Sequence, residues 1–158
     1  MSQSLKHWWR RKKATLINWW PPFAFAGIRV TRFAPDMREI DVELRMRWWN
    51  RNYVGTHFGG SLYAMTDPFY MLMIMQNIGP AYIVWDKAAN IRFRRPGRGT
   101  VRASFKITEQ DLESIRNATS SGEKHEPVFT VQVIDSQGTL VAEVEKILYV
   151  RLKEEKRE

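Results

Sequence analysis

The 158-residue chain has no cysteine, which excludes disulfides, thiol nucleophiles and cysteine-ligated metals. Histidine is scarce as well. His7, His57 and His125 stand apart, without the spacing that a metal site requires, so no metal is expected. No phosphate-loop or dinucleotide fingerprint is present, and Ser61, though preceded by two glycines, lacks the flanking pattern of a nucleophile elbow. Long hydrophobic runs are missing too: residues 62–78 are apolar but short for a membrane span, and they contain Asp67, Pro68 and Gln76. The basic beginning runs into tryptophans and a Pro21-Pro22 pair instead of an apolar region with a small-residue cleavage site, so no secretory signal is read. A cytoplasmic protein is the expectation.

Hydrophobic residues make up 44% of the chain and charged residues 27%, ordinary values for one globular domain large enough to bury a core. The formal charge of +8 is unevenly placed. Lys6, Arg10, Arg11, Lys12 and Lys13 crowd the first thirteen residues without an acid, and Arg92, Arg94, Arg95, Arg98 and Arg102 form a second cluster. Basic surfaces recruit phosphates, anionic lipid or nucleic acid, or simply stay solvated. Only charge speaks for nucleic acid, which is not expected as a partner. Residues 5–20 fit a helix stopped by Pro21 and Pro22, with Leu5, Trp9, Leu16 and Trp20 near one face. Tryptophan with Lys and Arg is the signature of a helix lying on an anionic membrane, and a peripheral membrane contact is one expectation. The same tryptophans can equally anchor the helix to its own domain or to a partner subunit. The division expected is a basic, Trp-rich extension over 1–24, a folded domain over 25–152 and a charged tail over 153–158.

Downstream, period-two patterns dominate. Ile28–Phe33 reads as a strand ending at an Ala34-Pro35-Asp36 turn. Residues 40–48 alternate strictly, with Ile40, Val42, Leu44, Met46 and Trp48 on the side to be buried. Ile91 and Phe93 alternate with Arg92 and Arg94, and residues 101–107 alternate again, so a hairpin around Pro96-Gly97-Arg98-Gly99 is predicted. Thr108 followed by Asp111 predicts a capped helix to about Ala118, with Leu112 and Ile115 inward. Val128–Ile134 and residues 139–152 predict a last hairpin around residues 135–138. Its second strand changes phase near Lys146, which predicts a bulge or a strand covered on both faces.

The rest is organised around residues 52–79. Three glycines, Gly55, Gly59 and Gly60, lead into an apolar block that includes Leu62, Met65, Phe69, Met73 and Ile74 on every side of a helix. A helix apolar all round is wrapped by other elements. Asp67 is the only formally charged side chain between Asn52 and Trp85, and such a charge is costly in a core unless paired or useful. A buried central helix carrying one functional carboxylate is predicted, kinked by Pro68. The alternative parsing makes Asp67 the N-cap of a helix that starts at Pro68. The element order predicts an α+β fold: one strongly curved antiparallel sheet wrapped around the central helix, with an extra N-terminal helix. Its open edges predict a dimer at least.

Asn52, then Gly59-Gly60, then Asp67 seven positions on, then Phe93-Arg94-Arg95-Pro96-Gly97 form a constellation in register. Over roughly residues 25–150 the chain resembles the hotdog-fold thioesterases, in particular the phenylacetyl-CoA thioesterase-like branch, and within it a sub-branch whose substrates are poorly known. That branch has an asparagine ahead of a His-Gly-Gly element, a helical aspartate at this distance and an Arg-Pro-Gly turn. One departure is clear: Phe58 stands where the branch has its histidine, and His57 lies one position earlier.

The resemblance implies a thioesterase acting on acyl-CoA or an acyl-carrier protein, with no cofactor beyond coenzyme A as part of the substrate. Asp67 would activate water or attack the carbonyl, the Gly60 amide would polarise the thioester carbonyl, and Asn52 would orient water or the acid. His57, Phe58, Gly59 and Tyr63 would meet the substrate, and Arg94, Arg95 and Arg98 would meet the phosphates of coenzyme A. The site would lie between subunits of a dimer or a dimer of dimers. A hotdog module that binds acyl thioesters without cleaving them, and an anion-binding protein at a membrane, are the competing readings.

Overall fold

Alternating apolar residues place six strands in one curved antiparallel sheet in the computed structural model, which describes residues 16–153. The elements are α1 (Pro21–Ala26), β1 (Ile28–Phe33), β2 (Glu39–Arg45), α2 (Gly59–Ala64), α3 (Phe69–Ile78), β3 (Tyr82–Phe93), β4 (Thr100–Lys106), α4 (Glu109–Thr119), β5 (Val128–Ile134) and β6 (Leu140–Leu152). The sheet order is β1-β2-β4-β5-β6-β3. Inward positions recur at every second residue, as in Ile40, Val42 and Leu44 of β2 and Val101, Ala103 and Phe105 of β4, all buried. Each of these side chains except Ala103 contributes roughly 1.5–3 kcal/mol through removal from water.

The concave face holds α3. Phe69, Tyr70, Met73 and Ile74 are buried against the sheet, with the Phe69 and Phe105 rings 4.9 Å apart and Tyr70 stacked on Phe129 at 4.7 Å. The one polar atom of this aromatic cluster is satisfied, since Tyr70 donates its hydroxyl to the Thr130 carbonyl at 2.9 Å. α4 begins with a complete capping box. Thr108 Oγ1 accepts from the Asp111 amide at 3.1 Å while the Asp111 carboxylate accepts from the Thr108 amide at 2.7 Å. Leu112 and Ile115 point inward as expected.

Four local expectations change. The proline pair does more than stop a helix: residues 16–19 are helical, and Pro21 opens α1, whose Phe23 packs 5.9 Å from Phe69 in the core. Residues 5–15 of the expected N-terminal helix lie outside the described residues. β2 ends at Arg45, because residues 47–50 form a turn closed by Asn50 Oδ1 on the Arg47 amide at 2.7 Å; Trp48, expected inside, is 79% exposed. β3 and β4 are not a hairpin, since β3 pairs along its length with β6 while β4 lies between β2 and β5. Strand β6 keeps its phase: Ala142, Val144, Lys146, Leu148 and Val150 are all buried at alternate positions, and Lys146 simply occupies an inward slot. The irregularity belongs to its neighbour β3, between Asp86 and Ala88. The β5–β6 hairpin around residues 135–138 forms as read.

Candidate active site

The apolar block is two helices, not one. The chain leaves α2 at Met65 and re-enters a helix at Phe69, and Asp67 sits in the break. Asp67 is not a cap: α3 starts after Pro68 with no side-chain cap. Its Oδ1 instead accepts from Lys146 Nζ at 3.0 Å. It is also less buried than a central helix would make it, keeping 48% of its side chain open, whereas the Lys146 side chain has 0%. A charged lysine wholly removed from water costs several kcal/mol unless compensated.

Compensation comes from two carboxylates. Asp86 Oδ1 on β3 lies 3.0 Å from the same Nζ, an ion pair without a well-aligned hydrogen bond. The Tyr63 hydroxyl on α2 is 3.4 Å from Nζ, which also lies 5.3 Å from the Tyr63 ring centroid. Burial works against the Lys146 charge, but the pairing with Asp67 and Asp86 outweighs it and raises the lysine's pKa, so it stays an ammonium. Burial pushes the Asp86 carboxyl up, with Lys146 acting the other way. Burial also raises the Tyr63 phenol, which therefore stays protonated.

The glycine turn forms a second centre. Asn52 ties its own loop together. Its Nδ2 donates to Thr56 Oγ1 at 2.8 Å and to the His57 carbonyl at 3.2 Å, while its Oδ1 accepts from the Val54 and Thr56 amides at 3.1 and 2.9 Å. His57 is buried and sets its Nε2 2.9 Å from the Gly99 carbonyl, so Nε2 carries the proton and the buried Nδ1 has no partner. Burial lowers its pKa, the Gly99 carbonyl acting the other way, so the ring is neutral at pH 7. Phe58 precedes α2, and a side chain on Gly60 would run into its ring; one on Gly59 would come within 3.0 Å of Phe93. Gly59 and Gly60 are the first two residues of α2, so their amides have no acceptor within the helix.

Asn52, His57, Gly59, Arg94 and Arg95 line one open pocket of 350 Å³ together with the Pro96-Gly97 turn. Arg94 is drawn to Glu143 at 3.3 Å, and Arg98 donates to the Gly55 carbonyl at 3.1 Å, bracing the loop. Arg95 makes no side-chain hydrogen bond or ion pair with a described residue. The structure thus gathers Asn52, His57, Gly59, Arg94 and Arg95 at one end of α2 and Tyr63 and Asp67 at the other. A rise of 1.5 Å per helical residue carries the chain about 6 Å from Gly60 to Ala64, and Asp67 lies three residues beyond that end of α2.

Lys146 and Asp86 are absent from the constellation read in the sequence. The signal for Lys146 was a lysine at an inward position of a strictly alternating strand. For Asp86 it was an acid inside the otherwise apolar start of a strand. Among the described residues no group of three or more His, Asp or Glu could hold a metal ion. No helix there is long and apolar enough to cross a membrane.

A six-stranded antiparallel sheet curved around a central helical segment defines the hotdog fold. Known structures agree. The chain is similar to a Pseudomonas aeruginosa protein of unknown function described as a probable thioesterase, with 18% identity over 97% of each chain and a TM-score of 0.74. It is similar to a Haemophilus influenzae thioesterase, with 14% identity over 90% of this chain and 91% of that one and a TM-score of 0.64. A mutant thioesterase of Pseudomonas aeruginosa is similar at 12% identity over 90% and 94% of the two chains, with a TM-score of 0.66. None of the curated proteins matches. The chain belongs to the family described as a domain of unknown function, DUF4442, whose model matches residues 10–150.

Proposed function

We propose that this chain is an acyl-thioester hydrolase in which Asp67 is the general base or the nucleophile. One observation carries the reading: a half-open carboxylate is anchored through one oxygen to a fully buried lysine that a second acid also holds. A charge arrangement this costly is not needed to join α2 to α3, and perturbed, paired groups beside an opening concentrate at functional sites. The similarity to structures described as thioesterases agrees with it.

In the general-base route Asp67 takes a proton from water, the hydroxide oxygen bonds to the acyl carbon, and the C–S bond breaks with the thiolate taking up a proton. In the nucleophilic route the carboxylate itself forms an acyl anhydride that water then opens. Lys146 positions Asp67 in either route. The protonated Tyr63 hydroxyl is a donor within reach of the cluster, and the Gly60 amide is the candidate donor to the carbonyl oxygen. Arg95, whose side chain makes no hydrogen bond or ion pair with a described residue, is the first candidate for a phosphate of coenzyme A, ahead of Arg94 and Arg98.

The placement of Gly60 at the start of α2 and Asp67 beyond its end is met most simply by two copies, the glycine turn of one facing the carboxylate of the other. Strand β3 supports such a pairing, being twelve residues long at the end of the sheet with Trp85 and Phe93 exposed. The partner is therefore a second copy, as a dimer or a dimer of dimers. Replacing Asp67 with Asn is expected to lower thiol release from a panel of acyl-CoAs by about 10²–10⁴-fold with the circular dichroism spectrum unchanged. Undiminished turnover by the variant would refute the assignment. A second reading, an acyl-thioester binder that does not cleave, is favoured by one feature: His57 is turned into the loop against Gly99. Saturable binding of acyl-CoA by wild-type protein without thiol release would establish it.

A further inference from the structure

Six of the seven tryptophans lie in two stretches without a single Asp or Glu, residues 1–35 and 45–66. The fold joins the described parts of these stretches into one surface. Trp49 donates its indole N–H to the Phe25 carbonyl at 3.1 Å, and Trp48 meets Trp49 edge-on with centroids 5.5 Å apart. Asn50 Nδ2 donates to the carbonyls of Ala26 at 2.7 Å and Arg45 at 2.9 Å, fastening the loop after β2 to the end of α1. Trp19 and Trp49 then line one groove of 340 Å³ with Arg29, Arg45 and Arg47. Trp19, Phe25 and Trp48 are all exposed by three quarters or more.

Most of the charge around these rings is not neutralised by the described residues. Arg29, Arg47 and Arg51 make no side-chain hydrogen bond or ion pair with a described residue. Glu43, the acid beside Arg45, is shared between Arg45 and Arg102 at 2.8 and 3.0 Å. The sequence immediately before residue 16 adds Lys6, Arg10, Arg11, Lys12 and Lys13 with Trp8 and Trp9. Large exposed aromatics beside guanidinium groups that pair with no described residue match the boundary of an anionic bilayer, where indole rings sit at headgroup depth and cations meet phosphate. A second copy fits poorly here, because a twofold contact would set these arginines against their own copies.

We propose that this face, with Trp19, Phe25 and Trp48 inserted and Arg29, Arg47 and Arg51 around them, docks on an anionic phospholipid bilayer. The docking is independent of whether Asp67 cleaves anything. It moves the membrane contact beyond the N-terminal helix to the loop over residues 46–53. That loop contains Asn52 and runs on to His57, so docking sets the open pocket beside the bilayer.

The test is flotation of the full-length protein with vesicles of phosphatidylcholine alone or of phosphatidylcholine with phosphatidylglycerol. Binding is expected only to the anionic vesicles and is expected to weaken as salt is added. The double variant Arg47→Glu with Trp48→Ala, both exposed positions, is expected to lower the partition coefficient at least about tenfold. Lys106→Glu on β4, an equal change of charge at another exposed position, is expected to leave it within about twofold. Three results overturn the proposal: no binding of the wild type to anionic vesicles, equal flotation of the double variant, or an equal loss with Lys106→Glu. Conversion of a wild-type dimer to a monomer by the double variant, read by light scattering, also overturns it, since the face would then join two copies.

Discussion

Replacing Lys146 with methionine removes the cation between Asp67 and Asp86 while keeping an unbranched side chain of similar volume. Both carboxylate oxygens lie 3.0 Å from Nζ, so they are at most about 6 Å from each other. Asp67 keeps 48% and Asp86 22% of its side chain open, so solvent screens them more than it would screen a deep pair. With an effective dielectric constant of about 20 to 40, their repulsion in the variant is roughly 1.5–3 kcal/mol at neutral pH. For a domain of this size that lowers Tm by roughly 3–12 °C. The deficit is expected to shrink as pH falls from 7 toward about 4, as the carboxylates protonate and the repulsion fades. Adding Asp86→Asn to the variant is expected to recover most of it at pH 7. Urea titrations followed by circular dichroism across pH 4–8 measure all three quantities. A deficit of equal size at pH 4 and pH 7, or no recovery in the double variant, would refute the charge-triad reasoning. If the hydrolytic reading also holds, kcat/KM of Lys146→Met falls about 100-fold as Asp67 loses its anchor.

Other outcomes follow from single contacts. Thr108→Ala removes half of the capping box and is expected to cost about 1 kcal/mol, read as a Tm lower by about 2–4 °C. Gly97→Ala places a methyl 2.9 Å from Val141 Cγ1 and 3.3 Å from His57 Cδ2 and is expected to cost about 1–3 kcal/mol in denaturant titration. His57 has a folded pKa below its ordinary 6.5, so the unfolded chain binds more protons as pH falls. Its contribution to stability is thus complete above pH 6.5 and is lost as pH drops toward the folded value. His57→Gln is expected to flatten that part of the stability profile, and an unchanged slope would count against it.

What the sequence made legible was local. The capping box over Thr108 and Asp111 and the β5–β6 hairpin depend on residues a few positions apart, and both formed as read. The β3–β4 turn misled for a physical reason. Alternation at Ile91 and Phe93 reports that a strand has two faces but not which strand pairs with it, and the Pro96-Gly97 turn looks the same in a hairpin and in a crossover. Its glycine serves a close approach instead, since the backbone there passes against Val141 and His57. Trp48 misled in the opposite way, because the alternating pattern continues three residues past the last ladder hydrogen bond of β2. The partners of Asp67 were hidden by distance: Lys146 lies 79 residues further on, and nothing in the local pattern of either names the other.

The break at residues 65–68 connects these observations. In an unbroken helix through residue 67, the acid would be one of a ring of side chains on a segment whose neighbours are all apolar, with no fixed direction toward a cation. Pro68 lacks the amide that would continue the helical ladder, and the chain closes α2 with Thr66 and Asp67 donating to Tyr63 and Ala64 at 2.8 and 3.3 Å. α3 then restarts at Phe69, already packed into the core against Phe105. The acid is left on a short connector whose two ends are both fixed, so its carboxylate can be aimed at Lys146 while part of it stays open to water. A proline that ordinarily weakens a helix therefore fixes where the one charge of this apolar segment points.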